Sequence, residues 1–177
     1  MAKVEQVIPA TPKQVWAALA DGWTYSDWVV GTVHIRDVDQ NWPAPGSRLF
    51  HKAGPWPFSL HDGSRVLESE PERRLVLRVG LWPVGEAVVS MTLAPHGTDA
   101  THITFVEEPV AGPFKWAHTK LNDLVLHQRN RESLRRLSDV AARQKAAAEK
   151  KPTHNGGTRT RLRSSYRSCR HSPVPRA

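Results

Sequence analysis

Two polar side chains stand where strand parity turns them toward an apolar interior. His51 shares the phase of Leu49 and Ala53, and an imidazole so placed can orient a carbonyl or exchange a proton near neutral pH. Arg48 and Lys52 flank it, so the alternative is a rim histidine on an edge strand. Glu107 continues the phase of Ile103 and Phe105 while Glu108 faces away. A carboxylate at the mouth of such an interior is a candidate general acid or base. The alternative is that alternation lapses before Pro109 and both acids are solvated. Trp28, Trp56 and Trp82 fall at turns or strand ends, as wall residues of a ligand site or as ordinary core. Trp56, between Pro55 and Pro57, reads as part of a rigid flap.

Other chemistries lack their residues. The nine histidines are scattered, and His118 and His127 are nine apart, too far for a clamp at i, i+4. His61-Asp62 is a lone dipeptide, so neither a metal nor another cofactor is expected. Ser59 and Ser64 have no His/Asp pattern around them and no Gly-x-Ser-x-Gly elbow occurs, which argues against covalent hydrolysis. Glu86 is out of phase with Ala87, which places it outside, paired with Arg78 on the neighbouring strand.

The net charge of +8 points to nucleic acid until it is located. Nine of the 25 basic residues and one of the 17 acids lie from Lys145 onward, so residues 1–144 carry 16 of each and are neutral. Thr153 to Ala177 is rich in Arg, Ser, Thr, Gly and Pro, with no apolar period, and is expected to be disordered. Its arginines between Arg159 and Arg170 could contact nucleic acid or an anionic membrane by releasing counterions, with Tyr166 alone for stacking. The other reading is an idle solvated extension. Charges at Lys3 and Glu5 interrupt what a leader peptide needs, no window reaches spanning length, and Cys169 is the one cysteine. A cytoplasmic protein is the expectation.

The elements that must position His51 and Glu107 follow from periodicity. Lys3–Ile8 reads as a first strand. Thr11, Pro12 and Gln14 form a helix start, with Thr11 as N-cap and Gln14 closing a capping box. Val15, Trp16 and Leu19 share a face of that helix, Asp21-Gly22 ends it, and a helical turn follows over Thr24–Trp28. From Thr32 to Glu107 the period is two, with strands near 32–39, 47–53, 63–69, 73–81, 86–94 and 100–107 separated by short turns, hence an antiparallel meander. Leu75/Leu77/Val79, Ala87/Val89/Met91/Leu93 and Ile103/Phe105 are its apolar phases. After Gly112-Pro113 the period returns to 3.6. Leu121, Leu124, Val125, Leu134, Leu137 and Ala141 form an apolar stripe, and Arg129, Arg131 and Arg136 lie on the wet side, with a Glu132–Arg136 pair. This helix runs about 30 residues. The folded unit is placed at 1–148 and a basic tail at 149–177.

Strand, helix, short helix, six strands and a long last helix, with the stretches Ala20-Asp21-Gly22-Trp23-Thr24-Tyr25-Ser26-Asp27-Trp28-Val29-Val30-Gly31, Trp42-Pro43-Ala44-Pro45-Gly46-Ser47, Arg73-Arg74-Leu75, Trp82-Pro83-Val84-Gly85-Glu86-Ala87 and Arg129 through Leu137, resemble the SRPBCC superfamily. That superfamily includes START lipid-transfer domains and polyketide cyclases/dehydrases, and the similarity is strongest to its actinobacterial members. The resemblance implies an α+β helix-grip fold, a curved antiparallel sheet of six to seven strands around the C-terminal helix. The plant members' glycine-rich loop is missing, since Ala44-Pro45-Gly46 is all that stands there, so a phosphate-cradling role is not supported.

The resemblance further implies a cavity between sheet and helix, mostly apolar with a few orienting polar groups. Its expected lining is Trp28, His51, Trp56, Leu77, Trp82, Val89, Met91, Phe105, Glu107, Leu121 and Leu124. Three functions remain open: carriage of a small apolar, lipid- or polyketide-like molecule; a cyclase/dehydrase using His51 and Glu107 on a carbonyl substrate; or an interaction protein acting through its tail. Oligomeric state is not encoded legibly.

Overall fold

A computed structural model of the chain describes residues 1–53, 60–81, 85–112 and 120–150. Strand β1 (Ala2–Ile8) leads into helix α1 (Pro12–Ala20), whose start is the expected capping box: Thr11 Oγ1 accepts from Gln14 N, and Thr11 N donates to Gln14 Oε1 at 2.8 Å. A 3-10 turn at Gly22–Thr24 and the single turn α2 (Tyr25–Trp28) follow. Then come β2 (Thr32–Val38), β3 (Arg48–Ala53), β4 (Leu60–Glu70), β5 (Arg74–Leu81), β6 (Gly85–His96) and β7 (Ala100–Ala111), and last the 31-residue helix α3 (Lys120–Lys150). The basic extension expected from residue 149 onward lies, beyond Lys150, outside the described residues.

All seven strands join one antiparallel sheet in the order β1-β7-β6-β5-β4-β3-β2. Strands β2 to β7 form the meander that short turns dictate, and β1 adds itself beside β7, with Ala2 opposite Glu107 and Ile8 opposite Thr101. Register shifts within β2/β3, β4/β5 and β6/β7 mark bulges, and a bulge bends its strand and increases local twist. The β6/β7 shift falls between Glu86 and Ala87, and just before it, at Gly85, φ is +138° and a Cβ would overlap the Ala111 carbonyl, so only glycine fits.

The sheet turns one face to the helices. Leu75, Leu77, Val89, Met91, Leu93, Ile103 and Phe105 are buried in one core with Val15, Leu19, Leu134 and Leu137. Helix α3 packs against α1, α2 and β1. The outward phase carries the Arg78–Glu86 pair, at 2.8 Å, as strand parity requires.

The stripe of α3 departs from the expected one in its first turns. Leu124 and Val125 are 55% and 59% exposed, while Leu126, Asn130, Ser133, Leu134, Leu137, Val140 and Ala141 are buried. At about 100° per residue, the thirteen positions from Leu124 to Leu137 put the two about 220° apart around the helix, on opposite sides. The true stripe passes through Asn130 and Ser133, two polar residues that an apolar pattern skips. Arg129, expected on the wet side, instead reaches inward over β7.

Candidate functional site

Sheet register sets the site. Val66, Leu77, Val89, Glu107 and Ala2 lie opposite one another in a single row across β4, β5, β6, β7 and β1. Beside it run Leu49, Ser64, Val79 and Ala87. Side chains one row apart on the same face are neighbours, so Glu107 lies toward the β1 side of a floor that is apolar but for Ser64 and His51. The roof is α3 with Arg129, Asn130 and Ser133, and the side wall is α2 and the segment after it, from Tyr25 to Thr32. Together they enclose a cavity of about 220 Å³.

Trp28, His51, Leu77, Val89, Met91, Phe105 and Glu107 all line this cavity. Leu124 does not: it points to solvent, for the reason of helix phase given above. Trp56, Trp82 and the side chain of Leu121 lie outside the described residues. His51 is 4% exposed, at the wall rather than on a rim. Glu107 is 2% exposed and Glu108 is exposed, so the alternation continues to the end of the acidic pair.

Glu107 is held by three hydrogen bonds from two donor groups. Arg129 Nη2 donates to Oε1 at 2.9 Å and to Oε2 at 2.8 Å, and Asn130 Nδ2 donates to Oε2 at 2.7 Å. Arg129 Nε in turn donates to Asn130 Oδ1 at 3.2 Å. Charge-assisted bonds of this kind fix a carboxylate's orientation, and one buried without them would be costly. Ser133 Oγ accepts from Val30 N at 3.1 Å and donates to Arg129 O at 3.0 Å, which ties the side wall to the roof one helical turn from Arg129.

The side wall is an aromatic cluster. The Tyr25 ring lies 4.7 Å from that of Trp28 and meets Trp42 edge-on at 5.4 Å. Tyr25 OH and Trp42 Nε1 both donate to the carbonyl of Leu19. Burial pushes the Tyr25 hydroxyl far above its usual range. Trp28 Nε1 is buried with no hydrogen-bond partner among the described residues.

The lining residues that sequence reasoning missed include the polar Arg129, Asn130, Ser133 and Ser64. Asn130 and Ser133 carried a signal, since they sit at helical spacing from Leu126, Leu134 and Leu137, and a polar residue on an apolar stripe marks a bonded or ligand-facing position. Ser64 shares the phase of Val66. For Arg129 there was no signal, because its Cα lies at the edge of the stripe and its length carries it inward.

Among the described residues no group of three or more His, Cys, Asp or Glu side chains could hold a metal ion, and no helix is long and apolar enough to cross a membrane. The mostly apolar lining can shelter an apolar body, and the polar end can orient oxygen or nitrogen atoms.

Solved structures share this architecture. The Zhui aromatase/cyclase from Streptomyces sp. R1128 superposes with a TM-score of 0.66 at 15% identity, covering 83% of this chain and 96% of that one. A protein from Nitrosomonas europaea gives 0.62 at 19%, covering 81% and 95%. The di-domain ARO/CYC BexL from the BE-7585A biosynthetic pathway gives 0.62 at 16%, covering 80% of this chain and 46% of its own. At such identities the likeness is one of fold. No curated protein matches the chain. The family model described as polyketide cyclase / dehydrase and lipid transport matches residues 1–142, and the chain belongs to that family.

Proposed function

We propose that the chain binds a small apolar molecule in the cavity between sheet and α3, with Trp28, His51, Leu77, Val89, Met91, Phe105 and Glu107 in contact with it. The observation that carries this reading is the asymmetry of the wall: aliphatic and aromatic over most of its surface, with Glu107, Arg129 and Asn130 gathered at one end. Sites for small ligands have this composition. The volume of about 220 Å³ lies below the roughly 300 Å³ at which drug-sized sites begin, and above the roughly 150 Å³ that takes benzene. One or two rings fit. A cytoplasmic setting is consistent with the single cysteine.

Native mass spectrometry and tryptophan quenching with small lipids and aromatic polyketide fragments test the proposal. Saturable binding is expected, and its loss in Val89→Phe, which fills the floor. No saturable binding by any probe would overturn it.

A second reading has its own support: His51 and Glu107 both line one small cavity. In a cyclase/dehydrase of this family type, His51 would move the proton at a substrate carbonyl. Glu107, with both oxygens already accepting hydrogen bonds, would keep Arg129 and Asn130 in place. Turnover of a poly-β-ketone substrate lost in His51→Ala, with binding retained, is the expected result. Unchanged turnover in that variant excludes His51.

A further inference from the structure

The two edges of the sheet are finished differently. β2 closes one edge with two register shifts against β3, and the 3-10 turn and α2 pack against it. Bulges and covering elements keep an edge from pairing with another chain. β1, at the other edge, runs against β7 over all seven residues with no shift and no proline. A regular edge of this kind presents one row of backbone donors and acceptors away from the sheet, ready to pair.

That outer side opens on a groove of about 750 Å³ whose far wall is the flank of α3 from His127 to Arg135. Its near wall is Lys3, Val4, Glu5 and Gln6. A sheet face takes alternate residues of a strand, so four in succession mean that the groove follows the edge itself. The lining mixes Lys3, Arg131 and Arg135 with Glu5 and Glu132, so it selects neither a polyanion nor a polycation.

β1 is complementary to itself in one register. Lys3 and Glu5 stand on the face of the sheet opposite the core, their side chains 53% and 45% exposed and 2.7 Å apart. Two β1 strands paired antiparallel about a two-fold axis match residues of like parity, so the axis passes through a residue position. Through Val4 it sets Lys3 against Glu5 of the second copy, Glu5 against its Lys3, and Ala2 against its Gln6. Through Lys3 or Glu5 it sets two like charges face to face, which is destabilising. We propose that β1 is the docking surface for a second copy of this chain, the two strands pairing about Val4 and the two seven-stranded sheets joining into one. The groove receives the partner strand, backbone bonds supply the attraction, and the charges alternating about the axis fix the register.

Sedimentation equilibrium of the full chain from about 1 to 300 μM reads the association. The mass is expected to rise with concentration from 19.8 kDa toward twice that value. Lys3→Glu alone and Glu5→Lys alone each place two like-charged pairs across the axis and should weaken association about tenfold or more. Mixing the two variants in equal amounts should restore it, because every facing pair is again opposite in sign. The double exchange Lys3→Glu/Glu5→Lys should restore it too. Both side chains are exposed, so the fold tolerates the exchanges, and recovery in the mixture separates register from net charge. A mass that stays at 19.8 kDa throughout, single variants that associate like the wild type, or a mixture no stronger than its components overturns the proposal.

Discussion

Arg129→Met isolates the polar end of the cavity. In the wild type Glu107, its side chain 3% exposed, faces Arg129, whose side chain is 28% exposed. Removing the guanidinium leaves a buried carboxylate with one side-chain donor, Asn130 Nδ2 at 2.7 Å. Breaking a buried pair by deleting one partner costs about 3–5 kcal/mol. The surviving amide bond and the partial exposure of Arg129 place this case at the lower end, about 3 kcal/mol. That is a large share of the roughly 5–15 kcal/mol that stabilises an ordinary domain, and corresponds to a fall in Tm of about 6–12 °C for a chain of this size. Urea unfolding followed by tryptophan fluorescence at neutral pH reads it, with an unchanged m-value as the check that the same surface is exposed. The double variant Glu107→Leu/Arg129→Met removes the stranded charge as well and should recover about 2 kcal/mol of the loss. If the single variant loses less than about 1 kcal/mol, or the double is no more stable than the single, the pair is not holding a buried charge and the account of the site's polar end is wrong.

Tyr25→Phe removes the bond to Leu19 O and should cost about 1 kcal/mol at pH 8. Above pH about 10 an unfolded tyrosine ionises while buried Tyr25 keeps its proton, so the folded state holds more protons, wild-type stability falls as pH rises, and the gap between the two proteins should close by about pH 11; a constant gap in urea unfolding at the two pH values refutes this. Glu132 is pulled down to about 2 by hydrogen bonds from Arg135 and then Arg136. Its stabilising effect is therefore present above pH about 4.5 and lost as pH falls toward 2; Glu132→Gln should flatten the acid limb of thermal unfolding at low salt, and a limb that keeps its slope excludes the pair. Gly85→Ala forces a side chain into the Ala111 carbonyl at positive φ and should lose about 2 kcal/mol or more, with an unshifted melting curve as the contrary result. Leu134→Ala should cost about 2–5 kcal/mol and Leu124→Ala less than about 0.5 kcal/mol, and equal losses would mean that the phase of α3 is misassigned.

The sequence carried the sheet more legibly than the last helix, for a physical reason. A strand has two faces, so one correct apolar residue fixes the side of all the rest; Leu77, Val89, Met91, Phe105 and even His51 and Glu107 were placed by parity alone. The capping box at Thr11 and the exterior Arg78–Glu86 pair are local in the same sense. A helix spreads its side chains over a full circle, and apolar residues outside the stripe, such as Leu124 and Val125, rotate the inferred face when polar residues occupy part of the real one. The partnership of Glu107 with Arg129 and Asn130 joins residues 22 and 23 positions apart, on two elements whose relative depth no local pattern encodes. The cavity itself is a difference between two surfaces, and only their spacing in three dimensions creates it.

The pairing of β1 with β7 has a kinetic meaning. Each other pair in the sheet joins consecutive strands, so hairpins can form as the chain grows, whereas Glu5 must wait for Thr104 and Ala10 for Thr101. Closing a span of this length carries a loop entropy that local hairpins avoid. During synthesis, residues 2–8 therefore leave the ribosome long before their partner exists, and the sheet gains its final edge only when nearly all of it has been made.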